Sequence, residues 1–228
     1  TRSVSSAASD VYKRQGFDWD SGIQNFNIKY DLSYNISEKI SLETGVQSTY
    51  YSFNPGYIQP LAANSGFNTE QLQNKFAAEA SIYLSAKHDI SSKMALQYGL
   101  RMNQFNRLAQ SGLLEYTNAQ PLIYNTSLGI YQKGITVGFY NKAESKQNYT
   151  NIEPRFTIAY RLDRSALKAS YHRVNQYLHL ISNTTSPTPL DVWTPSGRYL
   201  KPQQSDQWAF GYVTERENGN SLEAEIFY

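Results

Sequence analysis

The chain has 228 residues, a formal net charge of +2, no cysteine and a mean hydropathy of −0.58. That length suits one or two ordinary domains, and the weak charge implies no strong polyanionic partner, so no nucleic acid is expected. The absence of cysteine removes disulfides, zinc–thiolate sites and cysteine nucleophiles.

The first stretch, TRSVSSAASDVYKRQ (residues 1–15), has no apolar period. It has a basic end but no apolar core of a signal peptide. It resembles translated adapter sequence, and it is expected to be non-native and disordered. Residues 16–228 carry the fold.

From there the chain repeats one pattern. Phe26, Ile28, Tyr30, Leu32, Tyr34 and Ile36 form an apolar column, with Lys29, Asp31, Ser33 and Asn35 between them. Leu42 and Val46 continue it, against Glu43 and Gln47. Phe76, Ala78, Ala80, Ile82 and Leu84 follow, against Lys75, Glu79, Ser81 and Lys87. MALQYGLRMNQF (residues 94–105) alternates Met94, Leu96, Tyr98, Leu100 and Met102 with Gln97, Gly99, Arg101 and Asn103. Phe156, Ile158 and Tyr160 alternate with Arg155, Thr157 and Arg161; Leu167, Ala169 and Tyr171 alternate with Lys168, Ser170 and His172. Trp208, Phe210 and Tyr212 make a seventh column, and Leu222, Ala224 and Ile226 an eighth. Strict alternation means strands with one apolar and one polar face, because successive side chains point to opposite sides. The 19 tyrosines and 10 phenylalanines fit strands. No run of about 18 apolar residues exists, so no membrane helix is expected. Low hydropathy still permits a membrane barrel, since half of each barrel strand is polar.

The connections also alternate. NISEKI, DISSK, RLDRSA and ERENGNS are short and turn-like, whereas residues 54–74, 106–150 and 182–203 are long. This is the asymmetry of an outer-membrane barrel, with tight periplasmic turns and long extracellular loops. Within the middle loop, residues 128–140 are expected to form an extra hairpin. Between residues 167 and 180 the apolar set switches from odd to even positions. Either a bulge near residues 173–176 exchanges the faces, or the strand leaves the bilayer there.

The turns fix strand direction. On that map Tyr34, Tyr160 and Tyr212 fall at the periplasmic rim, and Tyr50, Phe76, Phe156 and Trp208 at the outer rim. Such bands suit aromatic girdles at the headgroup level. The polar face points into the lumen and carries Arg101, Arg155, Arg161, Lys168 and His172. They form a basic wall for an anionic ligand, or ordinary lumen charges satisfied by water and by carboxylates such as Glu43 and Glu79. In SPTPLDVWTPSGRYLKP the prolines stiffen the chain. There Asp191 and Trp193 offer a polar and an aromatic contact for a ligand; alternatively the segment is a structural loop. The three histidines, His88, His172 and His179, lie in no HExxH or similar spacing, and no phosphate loop is present. No enzyme, metal site or cofactor is expected.

Residues 151–212 closely resemble the barrel of TonB-dependent outer-membrane receptors, in particular those with a carboxypeptidase-like regulatory domain. The resemblance is carried by EPR (residues 153–155), LKASY (167–171), QYLHL (176–180), TPLDVW (188–193), PS (195–196) and KPQ (201–203). DISSKMALQYGLRMNQF is similar to the family's strand ahead of a long loop. The resemblance implies an all-β, antiparallel up-and-down meander of about eight strands, a fragment of a 22-stranded transmembrane β-barrel. It implies a Gram-negative outer membrane and import of a scarce nutrient. Outer-membrane lipid, the protein's own plug domain and the TonB–ExbB–ExbD complex are the implied partners, with room for a surface lipoprotein. The chain carries no plug or TonB box, and both ends read as cut. The alternative from the residues alone is a soluble all-β binding or adhesion module, with the apolar columns as a sandwich core.

Overall fold

The computed structural model describes residues 4–5, 17–61, 68–181, 191–215 and 219–228. Eight long strands dominate: β1 (Phe17–Ser37), β2 (Ile40–Pro60), β3 (Lys75–Asp89), β4 (Met94–Arg107), β5 (Gln147–Arg161), β6 (Ser165–Gln176), β7 (Gln203–Glu215) and β8 (Ser221–Phe227). They form one sheet in sequence order, every neighbour antiparallel. Val4–Ser5 adds a short rung to β1 and Glu70–Gln71 one to β2. The rest of residues 1–15 lies outside the described residues, as do residues 186–190 of the proline-rich segment.

The register keeps the columns on one face. Tyr30 faces Val46, Val46 faces Ile82, Ile82 faces Met102 and Met102 faces Ile152. These side chains are not packed: Ile28 is 60% exposed, Ile82 56% and Ile152 54%. Among the described residues no second sheet covers them, which overturns the soluble-sandwich alternative. A contiguous face of bare Ile, Leu, Tyr and Phe is far larger than water tolerates, and lipid is the solvent it fits. The opposite face is polar and concave. β1 and β2, at 21 residues each, exceed the roughly 9–11 that a tilted strand needs to cross a bilayer, so they project beyond it.

One hydrogen-bonding row crosses seven strands through Tyr34, Leu42, Ala86, Tyr98, Phe156, Tyr171 and Trp208. It begins three residues from the lower end of β1 and reaches β7 seven residues from its lower end. All seven girdle aromatics lie on the outward face, and Tyr50 stacks on Phe76 with centroids 6.4 Å apart. Phe156 departs from its expected outer-rim height, as does Trp208 of the same row, which lies mid-strand in β7. Phe156 sits five residues from the lower end of β5, because the stagger between strands carries the row upward only gradually.

One loop expectation changes, and one open alternative is decided. The excursion between β4 and β5 is a hairpin that starts earlier than residue 128. Leu114–Tyr116 pairs with Thr136–Phe139, and Leu122–Asn125 with Ile130–Lys133, so residues 128–140 are mainly its returning half. Between the two outgoing pieces, Thr117–Ala119 forms a 3₁₀ turn ahead of Pro121. After β6 there is no face-switching bulge. The β6–β7 register runs unbroken from Ser165 to Gln176, then the chain leaves the sheet and Leu178–Ile181 pairs with Val192–Pro195. The packed core lies there, on the concave face: Phe53, Ala77, Phe105 and Tyr177 are buried together.

Candidate functional site

The concave wall is built by alternation. Lys29, Gln47, Tyr83, Arg101 and Arg155 all fall on the polar face of their strands. Tyr83 lies directly opposite Gly45, where an added Cβ would overlap its hydroxyl, so the glycine gives the ring its seat. Two cations then lie near that ring: the Arg101 guanidinium 5.6 Å and Lys29 Nζ 5.8 Å from its centroid. Arg101 Nε donates to Asn103 Oδ1 at 2.8 Å, and its Nη2 to Gln47 Oε1 at 3.1 Å. Lys29 is held by Asp31 at 2.8 Å.

Arg155 and His172 are direct cross-strand partners. With Arg101 they line a concavity of about 840 Å³. Arg161 and Lys168 share that face but lie lower, opposite Ala166 and Ala159, and do not line it. Sequence reading missed Tyr83, Gln47 and Asn103 as the groups that hold Arg101. Their alternation was visible, but their cross-strand register was not.

Glu153 has a different task. Its carboxylate is almost fully buried, at 3% exposure. Oε1 accepts from the Asn175 backbone N–H at 2.8 Å, where β6 parts from β5, and Oε2 lies 3.7 Å from Arg155 Nη2. The carboxylate takes over a backbone donor that the β5–β6 ladder no longer serves, and a buried donor left unpaired is costly.

Above the wall, residues 191–200 fold back over the concave face. Arg107 Nη1 donates to Pro195 O at 2.9 Å and Lys75 Nζ to Thr194 Oγ1 at 2.9 Å. Tyr149 Oη donates to Gly197 O at 2.8 Å, and Ser196 N to Tyr177 O at 2.7 Å. The Tyr177 ring stacks on Phe105 at 4.7 Å, and its hydroxyl accepts from Asn151 Nδ2 at 2.9 Å. Asp191 is buried in this infold, whereas Trp193 is 38% exposed, opposite Leu180. The segment is therefore anchored to the barrel wall itself.

Two groups of the infold have shifted pKa values. Burial, then the Tyr140 hydroxyl 3.5 Å away, pushes Tyr199 up to about 12, so it stays a neutral donor to Leu114 O. Burial holds His179 below its ordinary 6.5 while its Nε2 lies 2.8 Å from Ser196 Oγ. A folded state that disfavours the imidazolium gains stability above pH 6.5 and loses it as pH falls below that value. The Ser196 amide should therefore exchange with solvent faster at pH 5.5 than at pH 7.5, after correction for intrinsic rates. A His179→Gln variant should lose that dependence; an unchanged dependence in the variant would assign it elsewhere.

The sequence model of the Outer membrane protein beta-barrel family matches residues 3–228. The chain belongs to that family. It resides in the outer membrane of a Gram-negative bacterium, its bare apolar face against lipid. Among solved structures this barrel segment is similar to a copper transporter, OprC, at 12% identity and a TM-score of 0.58 over 92% of this chain and 30% of that one. It is similar to the FrpB iron transporter of Neisseria meningitidis at 13% identity and a TM-score of 0.53, covering 92% and 28%. The Serratia marcescens hemophore receptor HasR, solved with hemophore and heme, gives 12% identity and a TM-score of 0.51, covering 92% and 33%. The chain thus spans about a third of each, and the likeness is one of fold. No curated protein sequence matches.

Proposed function

We propose that the segment is part of an active importer of the outer membrane, a 22-stranded barrel with an N-terminal plug, energised through TonB–ExbB–ExbD. The observation that supports this best is the concave face. It is polar below the Phe53–Phe105–Tyr177 cluster, holds the roughly 840 Å³ concavity of Arg101, Arg155 and His172, and is partly roofed by residues 191–200. A solvated wall with an infolded loop suits a passage for a nutrient, and the charged wall suits contact with a plug. The fold shared with OprC, FrpB and HasR supports the same class. A surface lipoprotein is the further partner of this reading. Leu128, Ile130, Tyr131, Ile135, Val137 and Phe139 of the outer hairpin are each more than half exposed, an apolar surface suited to protein contact.

The test is direct binding of the purified full-length protein to the periplasmic domain of TonB. Saturable binding that disappears when the segment ahead of the plug is deleted is the expected result. No binding with the plug intact would sink the energised-import reading and leave a passive barrel.

A further inference from the structure

Beneath residues 191–200 lies a second cavity, of about 260 Å³, separate from the large concavity. Lys75, Arg107 and Arg198 all line it, with Gln110, Ser145 and Thr194, and among the described residues no carboxylate does. Arg107 is only 8% exposed. Its bonds go to neutral acceptors: Nη1 to Pro195 O and Nη2 to Gln110 Oε1 at 2.5 Å. Among the described residues Lys75 likewise reaches only the Thr194 hydroxyl. The Arg198 guanidinium lies over the Tyr140 ring, 4.1 Å from its centroid. A guanidinium has five N–H donors and an ammonium three, so buried Arg107 and half-buried Lys75 both keep donors to spare. A buried guanidinium and a half-buried ammonium that share one pocket, with no counter-charge among the described residues, repel and lose part of their hydration, which is costly unless an anion completes the site.

We propose that this cavity binds an anionic group, a carboxylate or a phosphate, carried by the imported molecule. The anion site stands on the geometry; its assignment to cargo rests on the importer reading. The planar Arg107 fork and the Lys75 ammonium supply charge-assisted hydrogen bonds, and Arg198 closes the rim. Because Arg107 and Lys75 also hold Pro195 and Thr194, an arriving anion meets the same side chains that anchor the infold.

The full-length protein, plug included, is reconstituted in lipid nanodiscs at constant ionic strength. Inorganic phosphate and, separately, citrate are titrated by calorimetry. One saturable site is expected, weakened at least about tenfold by Lys75→Met and by Arg198→Gln, and largely retained by Lys75→Arg. Tighter phosphate identifies a phosphoryl group; tighter citrate identifies a carboxylate. Unchanged melting temperatures of the variants exclude unfolding as the cause. The proposal is overturned if neither anion binds the wild type, or if both charge-removing variants bind within about twofold of it. The readout needs no energy source, so loss of TonB coupling and loss of anion binding are separable failures.

Discussion

Leu84→Arg and Leu100→Arg, each made in the full-length protein, are expected to prevent normal insertion into the outer membrane. The two leucines are direct cross-strand partners on the outward face and are 54% and 51% exposed. They lie between the level of Tyr160 and that of the Tyr50–Phe76 stack, in the thickness that lipid tails occupy. An arginine at the midplane of a barrel's lipid face costs about 2–4 kcal/mol, a large share of a marginal stability. Ser33→Arg is the control. Ser33 faces Glu43 on the concave side, where a guanidinium meets water and a carboxylate. Outer-membrane fractionation and heat-modifiable gel mobility read the result. If the two leucine variants inserted like wild type while Ser33→Arg failed, the lipid and lumen faces would be exchanged.

Tyr177→Ala is expected to release residues 191–200 from the wall. Tyr177 is 4% exposed and stacks on Phe105, which is fully buried, with ring planes 2° apart. Removing a buried aromatic ring costs about 3–5 kcal/mol, and here it also strips Asn151 of its hydroxyl partner. Tyr177→Phe should lose only the hydrogen bond, about 1 kcal/mol. Limited proteolysis of intact cells should cut Tyr177→Ala near residues 191–200 well before wild type. The barrel itself should survive, because β6 is paired to β7 up to Gln176. Equal protection in wild type and Tyr177→Ala would show that Arg107, Lys75 and Tyr149 suffice to hold the infold.

The strands and their two faces were readable because lipid imposes period-two alternation along every one of them, from Phe26–Ile36 to Leu222–Ile226. Arg101, Arg155, Arg161, Lys168 and His172 fell on the lumen side by the same logic. Alternation cannot say which of them meet. That is set by register, which brings Arg155 to His172 and leaves Arg161 and Lys168 below. The departure of the chain after Gln176 was equally hidden. A bulge and an exit both exchange odd for even positions, and only the pairing of Leu178–Ile181 with Val192–Pro195 separates them. Lys75 read as one more polar-face charge, and Arg107 fell within the long connection of residues 106–150. Their shared cavity depends on a contact between Lys75 and Thr194 across 119 positions of sequence, for which no local pattern exists. Glu153 stood out only as part of a resemblance; its work on the Asn175 amide needs the fork between β5 and β6 to be seen.

The rising row from Tyr34 to Trp208 fixes how steeply the wall leans. After the register irregularity between Asn35 and Ser37 of β1, it gains five residues on the lower strand ends in the five strand steps from Leu42 to Trp208, one residue per strand. With a rise of about 3.3 Å per residue and about 4.8 Å between strands, that step is a strand inclination of roughly 35°. Carried through some 22 strands, it would bring the last strand back to the first about 22 residues out of step. That offset, together with the strand count, sets the bore of the closed cylinder. A register slip of two residues at a single lower turn, which keeps the lipid and lumen faces, would therefore act on the whole ring. Every later strand would meet its seam in a different place.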